Sequence, residues 1–173
     1  MTKVTHVKAA RRAIPQIGVK VGDSYYHWKH RRGPKQVGKT YPKRSQLTTS
    51  EFLKAMYDAE DELEKAIDTF DHDQLSASDL AVSVTDAAMI VNEQKEACEE
   101  SKGNIEDKFP NGCPTIDLLD QRIDACETIA AELEDAAAEL NEQTYPDGDG
   151  GETEQQWRER LAEVVRNVTW DFE

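Results

Sequence analysis

Residues 80–105, LAVSVTDAAMIVNEQKEACEESKGNI, and residues 116–140, IDLLDQRIDACETIAAELEDAAAEL, share one pattern. In the first, Leu80, Val84, Ala87, Val91, Gln94, Cys98, Ser101 and Ile105 follow one another at alternating steps of four and three. In the second, Ile116, Leu119, Ile123, Cys126, Ala130, Leu133, Ala137 and Leu140 do the same. That spacing keeps a narrow, mostly apolar seam on one side of an α-helix. Between the two runs lies Phe109-Pro110-Asn111-Gly112-Cys113-Pro114, dense in helix breakers. If the chain folds back about Gly112, facing residues have numbers with a constant sum. Ile105 with Leu119, Ser101 with Ile123, Cys98 with Cys126, Gln94 with Ala130, Val91 with Leu133, Ala87 with Ala137 and Val84 with Leu140 all total 224. Layers in register over this length predict an antiparallel, coiled-coil-like helical hairpin with helices about 40 Å long.

The same period continues outward. Phe52, Met56, Ala59, Leu63, Ala66 and Phe70 form an earlier run, with Thr48, Thr49 or Ser50 as its N-cap and Glu51 and Asp58 in its early turns. Trp157, Leu161, Val164 and Val168 form a shorter, later run, entered from the Asp147-Gly148-Asp149-Gly150-Gly151 loop. Ser76 or Ser78 is the expected cap of the second run, and Thr115 that of the third. The small layers at Ala87/Ala137 and Gln94/Ala130 permit close approach of the two helices or leave room for a third, and the first run is the natural one to fill that groove. The expectation is a mainly α protein. A three- to four-helix bundle has helices at about 51–71, 79–107, 115–143 and 153–168, and a small basic β-hairpin precedes it.

Composition agrees with narrow seams rather than a thick core. Hydrophobic residues are 38% of the 173, below the ~45–50% of ordinary domains, and charged residues are 32%. No stretch approaches the ~20 apolar residues of a membrane helix. Three Cys is too few, and odd, for a disulfide-stapled secreted scaffold. Residues 1–13 are basic without an apolar stretch, so no secretory signal is expected and a reducing cytoplasm is.

The net charge of −14 hides a division. Residues 1–50 hold 12 basic side chains against one acid, Asp23, for +11; the remainder holds 9 basic and 34 acidic residues, for −25. Such asymmetry points to a charged partner. The change falls near residues 45–50, which sets the expected boundary between a 1–50 arm and a 51–173 bundle.

Within the basic arm, Gly22-Asp23 opens an aromatic run over 24–32, Gly33-Pro34-Lys35 is a turn signal, and 36–41 returns as a second strand. Alternation places Tyr26, Trp28, His30 and Arg32 on one face and Tyr25, His27, Lys29 and Arg31 on the other. Rings interleaved with Lys and Arg suit nucleic acid, because cations neutralise phosphates and flat rings stack on bases. Tyr26 and Trp28 can equally form the small core of the arm. The expected contact residues are Arg11, Arg12, Tyr25, Trp28, Lys29, Arg31, Arg32, Lys35, Lys39, Lys43 and Arg44.

The stretches GVKVGDSYYHWK, residues 18–29, and KTYPKRSQLT, residues 39–48, resemble small, mostly uncharacterised phage and prophage proteins that carry a basic aromatic N-terminal module before an acidic helical region. The resemblance covers roughly the first 50 residues. It implies a phage-encoded accessory protein and brings no activity with it. Some related modules resemble cysteine-bearing zinc ribbons; this chain has no Cys before Cys98, so that site is not expected here.

Residues that carry chemistry are few. His27 and His30 point to opposite faces of one strand, poor geometry for a shared zinc. Asp147, Asp149 and Glu152 suggest calcium only superficially, since an EF-hand loop starting at Asp147 would need Gly where Glu152 stands and Glu where Arg158 stands. Cys98 and Cys126 face each other, which leaves a disulfide open, although a reducing compartment favours buried thiols. Cys113 has no evident activating base. There is no phosphate loop, nucleophile elbow or distinct acid/base pair. No catalytic residue, metal or cofactor is expected.

Three roles remain. The arm binds nucleic acid or a nucleoprotein complex, with the bundle as platform. Alternatively, the acidic helices inhibit a host enzyme or defence complex by imitating nucleic acid. The third role is that of a structural virion component. A host protein is an open partner for the acidic helices, a homo-oligomer is left open, and no membrane partner is expected.

Overall fold

The computed structural model describes residues 2–72, 74–109, 112–143 and 152–172. The chain divides into two compact units, residues 1–57 and 58–173, and the division falls inside a helix rather than at the charge boundary.

The first unit holds β1 (Val4–Val7), a short 3-10 turn (Pro15–Ile17), β2 (Tyr25–Lys29), β3 (Lys35–Gly38) and the single-turn helix α1 (Arg44–Leu47). Its sheet is antiparallel and three-stranded, in the order β1-β2-β3, where a two-stranded hairpin was expected. The added strand is β1, whose Val4 and Val7 pair with Trp28 and Tyr25. Val-Thr-His-Val is rich in β-branched residues but only four residues long, too short to read as a strand alone; cross-strand partners far along the chain select the extended state. The returning strand is also shorter than 36–41, ending at Gly38, which packs against the Trp28 ring. A Cβ on Gly38 would lie 3.4 Å from the indole ring.

The helix α2 (Glu51–Asp71) follows, and Ser50 caps it: the Leu53 N–H donates to Ser50 Oγ at 3.4 Å. In the second unit, α3 (Ala77–Glu106) and α4 (Pro114–Glu142) run antiparallel. Cross-helix polar contacts show it directly. Lys102 reaches Asp120 at 2.5 Å, Lys95 reaches Glu127 at 2.7 Å, and Asn92 reaches Glu134 at 3.4 Å. These pairs total 222, 222 and 226, flanking the apolar layers expected at 224. The N-cap of α3 is Ser76, in a reciprocal box with Asp79. Helix α4 differs from expectation: its N-cap is Cys113 with no side-chain cap bond, and Pro114 opens the first turn, where a missing N–H costs nothing.

Burial along the hairpin is uneven. Val84, Ala87, Val91 and Cys98 are buried on α3, as are Cys126, Ala130, Leu133, Ala137 and Leu140 on α4. Among the described residues from 99 to 125, only Leu119 is buried. The inner half is covered by α5 (Glu154–Arg166), which packs on both α3 and α4. Trp157, Leu161, Ala162 and Val165 of α5 are buried, and the chain after it continues along α4, where Glu132 accepts the Thr169 N–H at 2.7 Å. Thr153 caps α5 in a box with Gln156. At the other end of α5, Arg166 pairs with Asp71 of α2. Arg158 closes the C-terminus of α2. Its guanidinium donates to Phe70 O at 3.1 Å and Leu75 O at 2.9 Å, and lies 4.9 Å from the Phe70 ring centroid. Cations at a helix C-terminus satisfy orphan carbonyls and the dipole together. The molecule is thus mainly helical, with four long helices packed as a bundle and a small N-terminal antiparallel sheet. No helix among the described residues is long and apolar enough to cross a membrane. The 147–151 loop, and with it most of the calcium reading, lies outside the described residues.

Candidate nucleic-acid interface

Cross-strand register sorts the sheet into two faces. Val4, His6, Tyr26, Trp28, Gln36 and Gly38 share one; Thr5, Val7, Tyr25, His27, Lys29, Lys35 and Val37 share the other.

The first face carries the core of the unit. Trp28 is 4% exposed, and its indole N–H donates to Gln46 O at 3.1 Å, so α1 lies over it. His30 sits between Thr2 Oγ1 and Gln46 O, each at 3.1 Å, and Thr2 Oγ1 also donates to Leu47 O at 2.8 Å. His30 therefore ties the first residues of the chain to α1. Farther along the face, His6 stacks on Tyr26 at 4.6 Å between centroids and Tyr41 meets Tyr26 edge-on. Trp28 leaves the set of contact residues. A ring enclosed on both sides, with its only donor used, has no face to offer a base.

The second face is where cations gather. Lys29 and Lys35 stand directly opposite each other in the register, both exposed. Arg31 and Arg32 follow in the exposed turn. Like charges opposite one another on a sheet are unfavourable. His27, on the same face, titrates below its ordinary value, first through burial and then through the charge of Lys35. Tyr25 is half-buried and its ring lies 6.2 Å from that of His27.

Arg11 and Arg12 reach this face from the loop after β1. Ala10 N–H donates to Asp23 O at 2.8 Å and Gly22 N–H to Ala10 O at 2.9 Å. Ile14 and Val19 exchange a second pair of backbone bonds at 2.8 and 3.2 Å. Both arginines are thus pinned between two anchors, beside a strand that begins two residues past Asp23. Two left-handed glycines make the return: Gly18 (φ 64°) closes the 3-10 turn and Gly22 (φ 93°) precedes Asp23. Asp23, the one acid of the arm, accepts the Lys20 N–H at 2.8 Å and so serves the loop.

The remaining expected residues lie apart. Lys39 is exposed beyond β3, its ammonium near Gly18. Lys43 donates its backbone N–H to Gln46 Oε1, and the Arg44 guanidinium lies 4.8 Å from the Tyr57 ring centroid. Lys3, Lys8, Arg11, Arg12, Lys20, Lys29, Arg31, Arg32, Lys35 and Lys39 make no ion pair among the described residues. The bundle contrasts with this: Lys95 bridges Glu99 and Glu127, and Lys102 bridges Glu106 and Asp120, which raises both ammonium pKa values. Sequence reasoning missed Lys3, Lys8 and Lys20 as part of the cation field, and Val7 and Ile14 as neighbours of Tyr25. The charge count included the lysines; nothing local signalled the two aliphatic residues.

The three cysteines are free thiols. Burial pushes Cys98 up, and burial together with the neighbouring Cys98 pushes Cys126 up to about 11. Cys113 is half-exposed, and the hydroxyl and backbone N–H of the neighbouring Thr115 lower its pKa. Among the described residues, no group of three or more His, Cys, Asp or Glu is placed to hold a metal ion. Comparison with protein-family models, with curated proteins and with solved structures found no match to this chain.

Proposed function

We propose that this is a non-enzymatic accessory protein, of the phage type its N-terminal stretches resemble, whose first unit binds nucleic acid or a nucleoprotein complex. The observation that carries the reading is the field of unneutralised cations around Tyr25 and His27. A sheet face that sets Lys29 against Lys35 and adds Arg31 and Arg32 at the turn is costly alone and is relieved by a polyanion. The bundle, where Lys65, Lys95 and Lys102 are paired with acids, then serves as platform.

The experiment is a titration of the full chain against a labelled oligonucleotide at several salt concentrations. Binding weakens along a log–log line whose slope is about −0.7 per phosphate neutralised on a single strand. Replacing Lys29, Arg31, Arg32 and Lys35 together by Ala lowers both affinity and slope. Absence of salt-dependent binding, or a quadruple variant that binds as wild type does, overturns the reading. The rival role, inhibition through the acidic helices, predicts no oligonucleotide binding and loss of activity on charge reversal in α3 and α4.

A further inference from the structure

The open sheet face ends in a concavity of about 400 Å3 lined by Val7, Ala9, Arg11, Arg12, Ile14 and Tyr25. That volume lies within the ~300–1,000 Å3 typical of small-molecule sites. Its chemistry is mixed in one particular way. Tyr25 supplies a half-exposed ring, Val7 and Ile14 supply apolar walls, and Arg11 and Arg12 supply two guanidinium groups without a carboxylate partner among the described residues. The backbone bonds of Ala10 and Ile14 fix the main chain on either side of the arginines before any ligand arrives, which lowers the backbone part of the ordering cost of binding.

The geometry points to a seat for one unstacked nucleotide: the base lies against Tyr25 between Val7 and Ile14, and its phosphate is held by Arg11 and Arg12. In a duplex the base faces are already covered by their neighbours, so such a seat makes the unit a reader of single strands. Guanidinium groups suit phosphate better than ammonium groups do, because their fork of donors is planar and preset. Continuing along the face, His27 and then Lys29 and Lys35 lie within about 13 Å of Tyr25 at ~3.3 Å per residue. The strand backbone would follow that line toward Arg31 and Arg32. This inference rests on the nucleic-acid reading of the first unit and adds its strand preference.

The test uses the full chain and three oligomers of matched phosphate number: an oligothymidylate, the same backbone at equal length without bases, and a blunt duplex of half that length. Wild type binds the base-bearing single strand about 5- to 150-fold more tightly than the abasic one, the range that one base–ring stack contributes. Tyr25→Leu removes that ratio, and Tyr25→Phe, which keeps the ring and the strand propensity, retains it. Arg11→Ala with Arg12→Ala weakens both single strands and reduces the salt slope by about 0.7, for the one phosphate that the pair neutralises. Equal affinity of wild type for base-bearing and abasic strands, or a ratio that survives Tyr25→Leu, overturns the seat while leaving polyanion binding intact. Failure to bind any of the three overturns the reading beneath it.

Discussion

Replacing Lys35 by Glu should strengthen the fold of the first unit while weakening its binding. Lys35 faces Lys29 directly across β2 and β3. Opposed Cβ atoms are about 5 Å apart, and like-charged pairs there cost a few tenths of a kcal/mol once water and salt screen them. Exchanging one ammonium for a carboxylate reverses the sign, a swing of about 0.5–1 kcal/mol. The equilibrium between closed and locally open sheet then shifts roughly two- to fivefold at 25 °C. Amide hydrogen exchange at Tyr26, His27 and Trp28 in the full chain measures this shift without interference from the bundle.

The same substitution has a second readout. The His27 pKa lies below its ordinary value of 6.5, because burial and the charge of Lys35 both disfavour the imidazolium. A lowered native pKa means that the unfolded state binds the proton more readily. The contribution to stability is therefore complete above about 6.5 and is lost as pH falls through the native value. In Lys35→Glu the charge contribution reverses and burial remains, so the His27 titration moves upward and the loss of stability at acid pH shrinks. Single-strand affinity falls, and the salt slope drops by about 0.7 for the missing cation. Less protected amides in β2, together with an unmoved His27 titration, would refute the pairing and the charge argument built on it.

Other expectations concern the bundle. Arg158→Met keeps the apolar stem but strips the carbonyls of Phe70 and Leu75 of a charged donor, and should cost about 1.5–3 kcal/mol in urea unfolding followed by circular dichroism; full stability in the Arg158→Lys variant would show that the paired donors are unimportant. Leu133→Ala, at a fully buried layer opposite Val91, should cost about 2–5 kcal/mol by the same measurement, and a loss below about 1 kcal/mol would indicate a seam able to collapse. Alkylation with iodoacetamide near neutral pH should label Cys113 first, with Cys98 and Cys126 reacting only on unfolding. Because the Cys126 pKa rises from 9.0 to about 11, stability should hold below pH 9 and decline between 9 and 11; early labelling of Cys126 would show that the hairpin opens locally.

The helices were legible because helix formation is local. A turn closes within four residues, so the steps of four and three from Leu80 to Ile105 report one face without knowledge of any partner. The same arithmetic, applied twice, gave the facing of Cys98 with Cys126 and placed the helix ends within a few residues of where they lie. Caps were less secure. Ser76 was visible as a cap because Asp79 completes its box, whereas Thr115 lost the position to Cys113 because Pro114 sets the first turn two residues earlier.

By itself, then, the chain determined its charge division and its helical hairpin, both of which follow from residues close together in sequence. Only the tertiary structure decided the candidate site. β1 becomes a strand through pairing with residues some twenty positions away. Trp28 changes from a stacking platform to core because α1 covers it. Arg11 and Arg12 come beside Tyr25 only because the Ala10 backbone donates to Asp23 and accepts from Gly22. Sheets are assembled from non-local contacts whose partners leave no period to count, so the face that gathers cations and the face that buries its rings could be told apart only after folding.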